Sequence, residues 1–166
     1  MVPPHCNLRG EMPAMTEQQP KYRVPFVERT GMRTLAAEGG RAKLLMPLAG
    51  NENHVGVLYM GAYTVLAEAV AATPGITLCD PDRHFPIIKD LYVDFKRPAT
   101  SDVTADYALS DEQLAALGAD LERKGSAGYV AEFPILDTDG TEVCGARVTV
   151  KLLSKNWPPT DGNRAA

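Results

Sequence analysis

At 166 residues and 45% hydrophobic content, the chain is long enough for one domain with a sizeable core. Its net charge of -4 excludes any general attraction to nucleic acid or anionic lipid. Cys6, Cys79 and Cys144, like His5, His54 and His84, are scattered without paired or metal-ligand spacing, so neither a disulfide framework nor a metal site is expected, and no cofactor.

No basic segment followed by an apolar run opens the sequence, so no secretory signal is read and the cytoplasm is the default compartment. Residues 1–20 hold Pro3, Pro4, Pro13 and Pro20 among polar residues and lack periodicity, which predicts a loose arm. Met15 is an alternative start within it. Residues 24–30 suit one short helical turn ending at Gly31. Residues 32–37 and 41–48 then read as strands joined at Glu38-Gly39-Gly40, a hairpin signal. Ala42, Leu44, Met46 and Leu48 share one face of the second strand.

The stretch that organises the chain is residues 53–75, NHVGVLYMGAYTVLAEAVAATPG. Residues 58–73 are almost all apolar, and Pro74-Gly75 is expected to stop the helix they form. A helix apolar all round has to be buried, and this one is too short and interrupted to cross a membrane. Its one ionisable group is Glu68. A buried carboxylate is paired, protonated or wetted by a functional cavity, and the residues alone leave pairing and a functional role open. The polar approach Asn53-His54-Val55-Gly56 leaves backbone N–H groups near residues 59–61 free to face a ligand.

Residues 76–79 read as a short strand and residues 85–97 as a long one. Ile87, Leu91, Val93 and Phe95 are placed on one face of the long strand. Lys89 falls in phase with that apolar set. It either snorkels at the strand end or faces a carboxylate or a ligand phosphate. Residues 102–109 form the next strand. Ser110 to Gln113 is a capping-box signature, and Leu114, Leu117 and Leu121 form the stripe of a surface helix closed near Gly125. Residues 127–136 and 142–153 complete the strands, joined by a turn at residues 137–140, and a flexible tail covers residues 156–166. The sum is one α+β domain over residues 21–155, a curved antiparallel sheet around a central helix, with edges that favour a second copy.

These residues resemble the hotdog-fold acyl-CoA thioesterases, in particular the PaaI-like group and the related YiiD C-terminal-type domains, over roughly residues 24–154. The PaaI-like pattern N-x-x-G-x-x-H-G-G followed by L-x-D or L-x-E is met by Asn53, Gly56, Gly61 and Leu66-Ala67-Glu68. Phe95 to Ala99 (F-x-R-P-A) and the Asp139-Gly140 turn fit the same layout. Two positions depart: Tyr59 stands at the family histidine and Met60 at its first glycine. The resemblance implies hydrolysis of an acyl thioester at a site shared between subunits of a homodimer or dimer of dimers. Glu68 would be general base or nucleophile, and Met60 and Gly61 N–H groups would hold the oxyanion. Asn53 would position the helix approach or the water, with a capping or turn role as the alternative. Tyr59, Gly56 and Lys89 would contact the acyl-CoA substrate. Two other readings stand beside it: a non-catalytic acyl-CoA or fatty-acyl binding module, and a dehydratase with His54 as the partner of the acid.

Overall fold

The structure is a computed structural model and describes residues 24–155. The arm at residues 1–20 and the tail at residues 156–166 lie outside the described residues.

A short helix α1 (Pro25–Arg29) leads into the hairpin β1 (Arg33–Glu38) and β2 (Arg41–Met46). Gly39 and Gly40 turn it with φ of 55° and 84°, which a side chain would resist. The long helix α2 (Met60–Leu78) follows, then β3 (His84–Phe95), β4 (Val103–Ala108), α3 (Asp111–Lys124), β5 (Ser126–Leu136) and β6 (Glu142–Ser154). The strands form one antiparallel six-stranded sheet in the order β1-β2-β4-β5-β6-β3. α2 packs against β1, β2, β3, β4 and β6, so the sheet wraps it. The expected α+β architecture is the one observed.

The core lies between α2 and the inner sheet face. Ala42, Leu44 and Met46 of β2 are buried there, as are Cys144, Ala146, Val148, Val150 and Leu152 of β6, in the alternation that the sequence predicts.

Two expectations fail, each for a physical reason. Pro74 does not stop α2, and residues 76–78 are its last turn rather than a strand. Tyr129 of β5 braces the helix just past the proline. Its hydroxyl donates to the Ala71 carbonyl at 2.6 Å and accepts from the Gly75 N–H at 3.2 Å, inserting between two groups that an unbroken helix would join directly. Gly75 permits the approach, since a Cβ there would stand 2.9 Å from Leu152 Cδ2 and 3.1 Å from the tyrosine oxygen.

The second correction concerns β3. Its pairing with β6 slips between Ile88 and Asp90, leaving Lys89 as the extra residue of a bulge. The slip reverses the phase of the strand: Ile88, not Ile87, joins Leu91 and Val93 against the core, and Ile87 is exposed. Lys89 is exposed too, out of phase with the core residues of the strand, and makes no ion pair with Glu68.

Candidate active site

The loop before α2 is built by Asn53. Its Oδ1 accepts from the N–H of Val55 at 2.9 Å and of Val57 at 3.3 Å, while its own N–H donates to the Val57 carbonyl at 2.8 Å. This is the turn role, with Gly56 at φ 82° completing the reversal. Two backbone bonds then hold the chain as it reaches the helix, Leu58 N–H to Ala99 O at 2.9 Å and Tyr59 N–H to Asn51 O at 2.8 Å.

Tyr59 is the N-cap and its side chain caps nothing. Ala62 N–H bonds back to the Tyr59 carbonyl at 2.9 Å, whereas the N–H groups of Met60 and Gly61 take no acceptor among the described residues. They are two of the donors that a helix start leaves over. The Tyr59 ring lies across Gly61, where a Cβ would collide with it, and the ring and the Met60 side chain are both exposed. One turn further on, Tyr63 packs edge-on against Phe95 at the end of β3, ring centroids 5.5 Å apart. The free amides and the outer edge of the sheet therefore adjoin.

Two turns beyond Met60, Glu68 leaves the buried part of α2. The sheet-facing positions Leu66, Ala67, Val70 and Ala71 are fully buried, but Glu68 is exposed and lines a groove of about 440 Å³ between α2 and the α1–β1 segment. The opposite wall includes Val24 and Val27 of the α1 region, Met32 and Leu44. The carboxylate makes no hydrogen bond or ion pair among the described residues. The expectation of a helix buried all round thus holds on its sheet side only. Of the two roles left open for Glu68, the geometry is that of a carboxylate opening into a cavity.

The residues named from sequence fall into three places. Met60, Gly61 and Tyr59 meet at the start of α2, with Asn53 and Gly56 in the loop before it; Glu68 sits in the groove; Lys89 stands on the β3 edge. The contribution of α1 and β1 to the groove was missed, and its only signal was Val24 and Val27 in a stretch too short to show a period. Other chemistry is sparse. Burial pushes the Cys144 thiol up to about 11, which keeps it protonated and inert. Among the described residues no cluster of three His, Cys, Asp or Glu side chains suits a metal ion, and no helix is long and apolar enough to cross a membrane.

Known proteins place this geometry. A sequence model of the family described as domain of unknown function DUF4442 matches residues 16–152. A Pseudomonas aeruginosa structure, described as a protein of unknown function and probable thioesterase, is 35% identical with a TM-score of 0.72, covering 79% of this chain and 88% of that one. A mutant thioesterase from the same organism is 20% identical with a TM-score of 0.62, over 78% of this chain and 86% of that one. A Haemophilus influenzae thioesterase is 19% identical with a TM-score of 0.61, over 78% and 82%. No curated protein matches. The chain belongs to the DUF4442 family and has the hotdog fold of thioesterase-like proteins.

Proposed function

We propose that the protein hydrolyses acyl thioesters, in the PaaI-like manner, with Glu68 as the group that acts on the reacting carbonyl. The observation that carries this is the Glu68 carboxylate, without a partner among the described residues, opening into an apolar groove beside α2. Glu68 is the one carboxylate on α2, it borders the groove, and no partner among the described residues occupies it, so it is available there as a base.

The chemistry follows from the available groups. Glu68 takes a proton from water as the water oxygen bonds to the thioester carbon. The resulting oxyanion needs donors at about 3 Å, and the N–H groups of Met60 and Gly61 are the free ones at hand. Collapse breaks the C–S bond, and the proton held by Glu68 passes to the departing thiolate. Direct attack by the carboxylate, giving an anhydride that water then opens, uses the same groups. Tyr59 replaces the histidine of the resembling family and Met60 its first glycine, but a backbone N–H survives either change.

These groups do not meet within one chain. Met60 and Glu68 are eight positions apart, about 12 Å along the helix axis at ~1.5 Å per residue, whereas both must come within about 3 Å of one reacting centre. We therefore assign the two halves of each site to two copies of the chain. β3 is the edge on which a second copy would sit: it is twelve residues long, ends the sheet, and exposes Ile87, Tyr92 and Phe95, the last of them packed on Tyr63 one turn into α2. The Lys89 bulge lies on that edge, where a phosphate-bearing carrier such as CoA would cross between subunits.

The test is Glu68→Gln, which keeps shape and removes the base. Hydrolysis of an acyl-CoA panel should fall by at least ~10²-fold with the melting temperature unchanged. A wild-type protein that binds acyl-CoA but hydrolyses none of the panel would defeat the proposal in favour of a binding module.

A further inference from the structure

The walls of the groove also say which acyl groups it suits. Val65, Glu68, Ala72 and Ile76 of α2 form one stripe along it at helical spacing, and Val27 and Glu28 of α1 lie across from them. From Glu68 to Ile76 is eight residues, about 12 Å at ~1.5 Å per residue. An extended chain advances roughly 1.2 Å per bond, since three backbone bonds span about 3.6 Å, so that length matches about ten bonds. The groove volume, about 440 Å³, is within the range of pockets that bury small ligands.

Charge narrows the choice further. The ionisable residues lining the groove are both acidic, Glu28 and Glu68, with no Lys, Arg or His among the described lining residues. A ligand carrying its own carboxylate would set a second negative group beside Glu68 in apolar surroundings, with no basic side chain among the described lining residues to offset it. A neutral acyl chain meets no such obstacle.

We infer that the groove takes the straight, uncharged alkyl part of a medium-chain acyl thioester, about eight to twelve carbons, with Ile76 as its end stop, and that it excludes the free fatty acid. This rests on the thioesterase reading for the identity of the carbonyl end. It also gives hydrolysis a direction: once the thioester becomes a carboxylate, the product is repelled by the groove that held its precursor.

The test is calorimetric titration of the full chain with alkyl-CoA thioethers of increasing length, which carry no carbonyl to cleave. Affinity should rise about three- to fourfold per added methylene and level off near ten carbons. Ile76→Phe should move the plateau to shorter chains by about three carbons, and Ile76→Ala should move it to longer ones. In competition at neutral pH, 1-decanol should displace the decyl thioether at least ~10-fold better than decanoate. The inference is overturned by affinity that ignores chain length, by a plateau that neither Ile76 variant moves, or by decanoate competing as well as decanol. The enzyme reading fails separately. The predicted binding profile without hydrolysis of the matching esters keeps the groove and rejects the enzyme, while hydrolysis whose length profile ignores Ile76 keeps the enzyme and rejects the groove.

Discussion

Helices α2 and α3 are built on opposite plans. α3 satisfies itself. Ser110 and Gln113 form a reciprocal capping box, Asp111 and Glu112 sit at the positive end, Arg123 and Lys124 at the negative end, and Gly125 closes it in the left-handed conformation at φ 68°. Gln113 even reaches outward, its Nε2 donating to the Val130 carbonyl at 3.1 Å. α2 has no side-chain cap, no charge in its first or last turn, and a proline inside. Its first amides are left without acceptors among the described residues, and its one carboxylate is left without a partner there. A helix whose groups are all satisfied locally has a structural task. One that leaves donors and a charge open, while its neighbours hold it together, has groups to offer a ligand.

That contrast predicts where substitutions act on activity and where on stability. The largest effect is expected at the start of α2. Met60→Pro removes an N–H while keeping a residue type that suits the first helical position, and Tyr59 already has the extended backbone (φ -69°, ψ 138°) that a following proline requires. If that amide holds the oxyanion, kcat should fall about 10²- to 10³-fold, roughly 3 to 4 kcal/mol, with the melting temperature within a few degrees of wild type. Steady-state kinetics beside thermal unfolding checks both halves; equal loss of activity and stability would make the amide structural.

Next comes the middle of α2, where stability depends on β5. Tyr129→Phe deletes the hydroxyl shared by Ala71 and Gly75 and leaves two buried backbone groups to find new partners. The expected loss is about 2 kcal/mol, read as a lower midpoint in urea with unchanged slope. Burial also raises the Tyr129 phenol well above its ordinary range. A raised pKa gives stability that is fully present below the unfolded value of about 10 and lost as pH climbs past it, because the unfolded phenol ionises first. Wild type should therefore lose more stability than the phenylalanine variant between neutral and strongly alkaline pH.

The smallest effect belongs to α3. Ser110→Ala removes the cap and should cost about 1 kcal/mol, a few degrees in melting temperature, with hydrolysis unchanged. A fall in kcat here would show that α3 serves the site after all.

The same contrast explains what the sequence disclosed. α3 was readable end to end because its start, stripe and stop are all local signals. The inner faces of β2 and β6 were readable because their alternation is uninterrupted through β2 and over residues 144–152 of β6. Glu68 stood out as a lone carboxylate in an apolar helix, and its helix position was legible; that it emerges beside a groove was not, since α1 and β1 form the other wall. The far end of α2 misled because Pro74-Gly75 is a local stop signal, while the hydroxyl that braces the helix there comes from Tyr129, fifty-four positions beyond Gly75. Lys89 misled because strand phase was carried through a bulge that only the pairing with β6 reveals. Both misses are interactions between distant segments, which no window of sequence contains.

In the proposed mechanism Glu68 of one copy works with the α2 start of another. Glu68→Gln and Met60→Pro chains, differently tagged and co-expressed, can be purified as hybrids carrying both tags. Each parent should be nearly inactive. A hybrid dimer would hold one doubly damaged site and one intact site, and should hydrolyse its best acyl-CoA at about half the wild-type rate. A hybrid as inactive as its parents would contradict the shared site and return both groups to a single chain.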